Sequence, residues 1–227
     1  MNFVINTLSF FENYVFSFKG FRLGLSTFLV GIFLDNTVSI NSKNKLIETK
    51  KKLLNDAYIA VATNLLVLSP IFYNLVDKVL ITNKTTEIEL IKYLATLGIH
   101  SVGYYYSHYA MHNINILKPI HKFHHKFNDV LIPSIGNAVS PAEFTIAYVL
   151  PFLIASYILN TNLPTLNLSI QTISLFNLFI HCHELKNIPY HKYLVSPSDH
   201  IQHHQYSKKK ETYAAPIINI DQIIREF

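Results

Sequence analysis

Leu53-Leu54-Asn55-Asp56-Ala57-Tyr58-Ile59-Ala60-Val61-Ala62-Thr63-Asn64-Leu65-Leu66-Val67-Leu68-Ser69-Pro70-Ile71-Phe72-Tyr73-Asn74-Leu75-Val76 is an apolar run long enough to cross a bilayer. A spanning helix needs roughly 20 mainly apolar residues, because hydrocarbon offers no partner to an unpaired backbone group. Four further stretches come close to that pattern, at 21–40, 89–107, 143–160 and 165–182. Polar residues interrupt all five, Asn64, His100 and Gln171 among them, so the spans pack against one another rather than facing lipid all round. The last two are short and joined by Asn160-Thr161-Asn162-Leu163-Pro164, a turn signal, and read as a helical hairpin. The expectation is an all-α, multi-pass transmembrane bundle of four or five spans, with the whole of 1–227 forming one membrane domain.

Composition points the same way. Half of the 227 residues are hydrophobic and only 15% are charged, and the mean hydropathy is +0.24. A soluble domain is rarely so apolar. The single cysteine, Cys182, excludes a disulfide framework and any cysteine-built zinc or iron–sulfur site. The net charge of +5 sits on residues that flank apolar segments, which suits a membrane surface and not nucleic acid. Residues 1–19 have no basic start, carry Glu12 inside the apolar run and lead into no small-residue cleavage site, so they do not read as a cleavable signal. Their aromatic residues suit an interfacial or re-entrant helix.

Charge bias sets the sidedness. With the loop 41–52 placed in the cytosol, residues 108–142 and 183–227 are cytosolic as well. Fourteen Lys and Arg residues then lie on that side, whereas the opposite loops 77–88 and 161–164 hold only Lys78 and Lys84. Cytosolic loops are enriched in just these cations. The same threading puts eleven of the twelve histidines at one membrane face.

Those histidines form three boxes: His108-Tyr109-Ala110-Met111-His112, His121-Lys122-Phe123-His124-His125 and His200-Ile201-Gln202-His203-His204. On a helix, residues three and four apart share a face, so His108 and His112 point together. In each of the other boxes the first histidine shares a face with both of the last two. One metal ion rarely takes more than six ligands, so eight or more converging imidazoles argue for two metals in a histidine-rich cap. A single HxxxH arises by chance on an exposed helix. Two HxxHH boxes and an HxxxH at one face of an apolar protein are a far stronger signal, against which the alternative is a histidine-rich surface without metal.

The boxes and the element Ser196-Pro197-Ser198-Asp199 before the last one resemble the fatty acid hydroxylase superfamily, which includes sterol desaturases, C-4 methyl oxidases and alkylglycerol monooxygenases. The resemblance covers about residues 90–206. It also implies a ligand histidine nearly twenty residues before the last box. His181, 19 residues before His200, fits best, and His183 is kept as a further ligand. The implied metal set is His108, His112, His121, His124, His125, His181, His183, His200, His203 and His204. Several positions depart from the family pattern: Ser101 where many members are acidic, Tyr109 where many have Arg, Ser140 in place of the histidine of a His-Pro-x-Glu element, and Thr212-Tyr213-Ala214 where Asn-Tyr-Gly is common. Metal binding survives such changes; activity and substrate placement are what they touch. Glu143 ends the altered element and is expected to orient a ligand imidazole, whereas Glu184 and Asp199 read as solvated carboxylates.

The resemblance implies a di-iron oxidoreductase of lipid biosynthesis that hydroxylates or desaturates a sterol, sphingolipid, fatty acyl chain or ether lipid with dioxygen. It also implies an endoplasmic reticulum membrane with the histidine site facing the cytosol. Imidazole alone does not choose iron, and zinc can occupy such sites in a purified protein. Two electrons must come from outside, since the chain has no haem-attachment motif, cysteine cluster or dinucleotide fingerprint. By resemblance the donor is cytochrome b5 or a similar carrier with its reductase, for which Lys208-Lys209-Lys210 is a candidate docking patch. The other readings are a zinc-dependent membrane hydrolase and a non-catalytic metal-binding membrane protein. His100 and His191 are read as a helix-to-helix hydrogen bond and a surface residue, and Cys182 as packing.

Overall fold

The computed structural model describes residues 16–128, 130–206 and 212–227. The expectations for residues 1–15 and for Lys208, Lys209 and Lys210 lie outside the described residues. The fold is a helical bundle, and among the described residues the one piece of extended pairing is an isolated antiparallel bridge between Leu194 and Ile218.

Helix α1 (Phe18–Asn36) starts where Ser17 accepts a hydrogen bond from the Gly20 amide at 3.2 Å, the usual use of serine at an N-cap. Helix α2 (Ile40–Ala62) follows after a three-residue turn, so the stretch 41–52 is helical and not a loop. Lysines dominate its composition, but Ser42 and Leu46, one turn apart, are buried on one face. The backbone bends at Lys50 (φ −141°, ψ 37°) before entering the apolar run.

That run does not stay a regular α-helix. It widens into a π turn (Thr63–Leu68), resumes as α3 (Ser69–Leu75) and widens again (Val76–Leu80). Proline has no amide to donate and its ring crowds the preceding turn, so a wide turn just before Pro70 is the expected accommodation. Pro151 repeats the pattern: α6 (Pro141–Glu143) leads into a π turn (Phe144–Val149) and then α7 (Leu150–Leu159). The first wide turn is held tightly against α1. A Cβ on Gly24 would lie 1.8 Å from the Leu65 carbonyl oxygen, so only glycine allows this approach.

Helix α4 (Leu90–Asn113) carries the first histidine box. Helix α5 (Lys118–His121) ends at the first histidine of the second box. The expected hairpin is present: Asn160 adopts the left-handed conformation (φ 45°), and Asn162 caps α8 (Leu163–Ile180) through the Thr165 amide at 3.0 Å. Helices α9 (Pro197–Tyr206) and α10 (Ile220–Glu226) complete the chain.

Among the described residues, three segments are long and apolar enough to cross a membrane: Ile40–Leu80, Pro141–Leu159 and Leu163–Ile180. The expected spans at 21–40 and 89–107 are helical too, as α1 and α4, and are long enough but less apolar. Lys19, Arg22 and Asp35 interrupt α1, and Lys92, His100 and several hydroxyl residues interrupt α4.

A buried loop forms the floor of the histidine cluster. Phe127, Ile132, Ile135, Ala138 and Val139 have no exposed surface. A buried loop must find partners for its own backbone. Asn64 supplies two, donating to the carbonyls of Asn137 and Val139 at 3.0 Å each. The Tyr148 hydroxyl and the Asn177 amide both donate to the Gly136 carbonyl, at 2.8 and 2.9 Å. Asp35 accepts from the Ser134 amide and hydroxyl.

Candidate metal centre

Nine imidazoles converge on this floor in two groups. His108, His112, His121, His125 and His203 form one; His124, His181, His200 and His204 form the other. Within each group the candidate ligand atoms all lie within 4.8 Å of one another. The second and third boxes are each divided between the groups. Histidines four apart stay together (His121 with His125, His200 with His204), while His124 and His203 cross to the other group. Neighbouring helical positions are about 100° apart, so consecutive histidines diverge. The expectation that each first histidine shares a face with both of its successors is corrected on this point.

The rear nitrogens fix the tautomers. Nδ1 of His108 meets the Tyr213 carbonyl oxygen at 2.9 Å, and Nδ1 of His181 meets that of Asn177 at 2.7 Å. Nδ1 of His121 meets Oε1 of Glu143 at 2.6 Å. Carbonyl oxygens only accept, and so does Glu143 when ionised; the three Nδ1 atoms then donate and each Nε2 turns a lone pair inward. Yet Nε2 of His108 lies 3.0 Å from Nε2 of His121, and Nε2 of His181 lies 2.9 Å from Nε2 of His200 and 3.3 Å from that of His124. The facing lone pairs of His108 and His121 repel at that distance unless a cation lies between them; in the second group only the His181 tautomer is fixed, and its spacing to His200 and His124 is that of ligands sharing one ion. Metal–nitrogen bonds of about 2.0–2.1 Å give nitrogen–nitrogen edges of roughly 2.9–3.4 Å in octahedral to tetrahedral sites. The residues present therefore fit two metal ions.

Burial supports the same protonation state. Loss of hydration, reinforced by neighbouring imidazoles, holds His121, His124, His200, His203 and His204 well below the usual histidine range, and His125 at about 3. Metal ligation requires that neutral form. The groups differ in access. All four residues of the second are buried, whereas His112 and His125 of the first are half-buried and border an open cleft with Lys118, Asn115 and Tyr213.

His183 stands outside both groups and is corrected as a ligand. Helix α8 ends at Ile180, and the 3-10 turn (His183–Leu185) directs His183 toward Lys186, whose Nζ lies 3.3 Å from its Nε2. His100 bonds the Tyr148 carbonyl at 3.2 Å, a link between helices, and His191 is exposed. Glu184 accepts from Ser39 and Ser42 at 2.5 and 2.6 Å and touches no ligand, while Asp199 accepts from Ser196 at 2.7 Å. Cys182 is buried against Ser39 at 3.3 Å.

The family model described as fatty acid hydroxylase matches residues 93–225, more than half of the chain. The chain belongs to the fatty acid hydroxylase family. Neither a curated protein nor a solved structure gives a match.

The departures from the family pattern have local explanations. The Ser140 hydroxyl accepts from the Glu143 amide at 3.1 Å and donates to the Ile120 carbonyl at 2.9 Å, tying the carboxylate's helix start to the second box. Ser101 bonds the Leu97 carbonyl of its own helix at 2.8 Å. Tyr109 packs edge-on to Tyr213, with ring centres 5.2 Å apart. Among residues with no sequence signal, Asn177 orients His181 through its carbonyl and Asn64 holds the floor. Tyr213, part of an altered family element, orients His108 through its carbonyl.

Proposed function

We propose that this protein is a membrane-bound di-iron oxygenase that hydroxylates or desaturates a lipid, using dioxygen and electrons from a separate carrier. The observation that carries this reading is the convergence of nine imidazoles in two groups, with the rear nitrogens of His108, His121 and His181 committed as donors. Membership of the fatty acid hydroxylase family supports iron over other metals that imidazole accepts. When bound, the metal pair supplies the oxidation of an unactivated C–H bond. Hydroxylation consumes dioxygen, two electrons and two protons and releases one water; desaturation removes two hydrogens from adjacent carbons and releases two waters.

The chain's own residues bind, orient and exclude water. Glu143 holds the proton on Nδ1 of His121, and the Tyr213 and Asn177 carbonyls do the same for His108 and His181. An apolar cavity of about 80 Å³ lies between the helices, bordered by Phe72, Phe144, Tyr148, Phe152, Ile173 and Asn177. Its apolar walls suit a lipid tail, which has to part the helices to enter because the cavity is smaller than a ligand site. Phe144 follows Glu143 directly, and Asn177 carries the carbonyl that bonds His181. The cleft at His112 and His125 gives the five-histidine group an opening for dioxygen. A cytosolic site in the endoplasmic reticulum, with cytochrome b5 and its reductase as donor, completes the reading.

Metal analysis of chain purified from iron-replete cells tests it, together with lipid profiles of cells with and without the protein. Two irons per chain and a lipid that gains a hydroxyl or a double bond are expected. One zinc per chain would favour a hydrolase, and metal-free protein with unchanged lipids would remove the oxygenase reading.

A further inference from the structure

The peptide group joining Tyr213 to Ala214 is bonded at both ends. Its carbonyl oxygen accepts from Nδ1 of His108 at 2.9 Å. Its amide, on Ala214, donates to Oδ2 of Asp221 at 2.7 Å. The same carboxylate oxygen accepts the Tyr213 amide at 2.8 Å. Two N–H groups donating to one oxygen keep the proton off Oδ2 and favour the ionised carboxylate. Burial pushes the Asp221 pKa up, and the two amide donors and Arg225 act against that. Asp221 is 7% exposed, so its charge acts through little water.

A negative charge at the N–H end of an amide shifts electron density toward its carbonyl oxygen, and hydrogen bonds in such a chain strengthen one another. We propose that Asp221 is a positioning residue for the five-histidine group, acting on His108 through the Tyr213–Ala214 peptide. It fixes the His108 tautomer and makes Nε2 a stronger electron donor, as Glu143 does for His121 by direct contact. Carboxylates behind ligand imidazoles raise their basicity in this way. The two groups are then electronically unlike. Two ligands of the open group are backed by carboxylates. In the closed group His181 leans on the neutral carbonyl of Asn177, and among the described residues no carboxylate bonds any of its imidazoles.

Asp221 is not needed merely to fasten the C-terminal segment. The Val195 amide donates to the Ile217 carbonyl and the Asn219 amide to the Tyr193 carbonyl, each at 2.9 Å. Asn219 also caps α10 by accepting from the Gln222 amide at 3.1 Å.

The inference rests on the two-metal reading, and the test separates the two. Full-length chain loaded with iron-57 is compared with Asp221→Asn, Asp221→Glu and Asn219→Ala by metal content under chelator competition and by Mössbauer spectroscopy. Asp221→Asn is expected to weaken one of the two irons about tenfold or more and to change the signal of that iron alone. Asp221→Glu keeps the charge and is expected to retain most of the parent affinity. Asn219→Ala loosens the same helix and is expected to leave both irons unchanged. The relay is overturned if Asp221→Asn matches the parent, if Asp221→Glu is no better than Asp221→Asn, or if Asn219→Ala has an equal effect. Parent chain that binds no metal would sink the two-metal reading and the relay with it.

Discussion

Oε1 of Glu143 lies 2.6 Å from Nδ1 of His121, and the carboxylate has no exposed surface. Its other oxygen, Oε2, has no hydrogen-bond partner among the described residues. A buried and half-satisfied carboxylate is costly to keep. What it gives in return is a fixed tautomer for an imidazole at the centre of the five-histidine group. Glu143→Gln keeps the shape and removes the charge. The expected result is roughly a tenfold loss of metal affinity at that group, within the range found when such supporting partners are changed. Chelator competition on purified protein measures it, and parent-like affinity would make the carboxylate a packing residue.

His204 and His183 make a matched pair of opposite expectation. His204 is buried among three other imidazoles, its Nε2 3.2 Å from that of His200. His183 faces Lys186. His204→Ala is expected to empty the four-histidine group and to lower metal content from two per chain to one. His183→Ala is expected to leave both in place. Elemental analysis of the two variants decides this, and loss of metal from His183→Ala would restore that residue to the ligand set.

Much of this arrangement was legible in the chain. The helices were, because a bilayer demands long apolar runs, and the hairpin was, because Asn160 to Pro164 is rich in turn-forming residues. The boxes were legible because ligands on one helix face must stand three or four apart. How they divide was not, since that depends on the 100° between consecutive histidines and on α5 ending at His121. Helix over 41–52 was hidden by lysines that outnumber its inward positions. The partners of the buried loop were hidden by distance: Asn64 lies 73 residues from Asn137. Asp221 acts through a peptide bond, and no motif marks such a role.

The approach of α1 to the first wide turn leaves no room for a methyl group. A Cβ on Gly24 would sit 1.8 Å from the Leu65 oxygen and 2.8 Å from its carbonyl carbon, and backbone cannot swing aside as a side chain can. Gly24→Ala is expected to cost at least the upper end of the roughly 1–3 kcal/mol typical of overpacking. For a chain of this length each kcal/mol shifts the midpoint by about 2–4 °C. Thermal unfolding in detergent should show a clear fall in Tm. An unchanged midpoint would mean that α1 can slide on its neighbour.

Gly136 probes the floor of the four-histidine group directly. A Cβ there would lie 2.9 Å from Nδ1 of His181, 2.9 Å from Nδ2 of Asn177 and 3.0 Å from the Asn177 oxygen. Those are the atoms that set the His181 tautomer, since Nδ1 donates to that same oxygen at 2.7 Å. The loop has no easy retreat, because the Gly136 carbonyl is held by Tyr148 and Asn177 and the following residues by Asn64. The added methyl must therefore push the His181 ring away from its carbonyl. Gly136→Ala is expected to lose the metal of the closed group while the open group keeps its own, because the imidazole nearest the added methyl is His181 of the closed group. Metal content should fall from two per chain to one, with a single Mössbauer component remaining. Retention of both metals at parent affinity would show that His181 is not oriented by this loop.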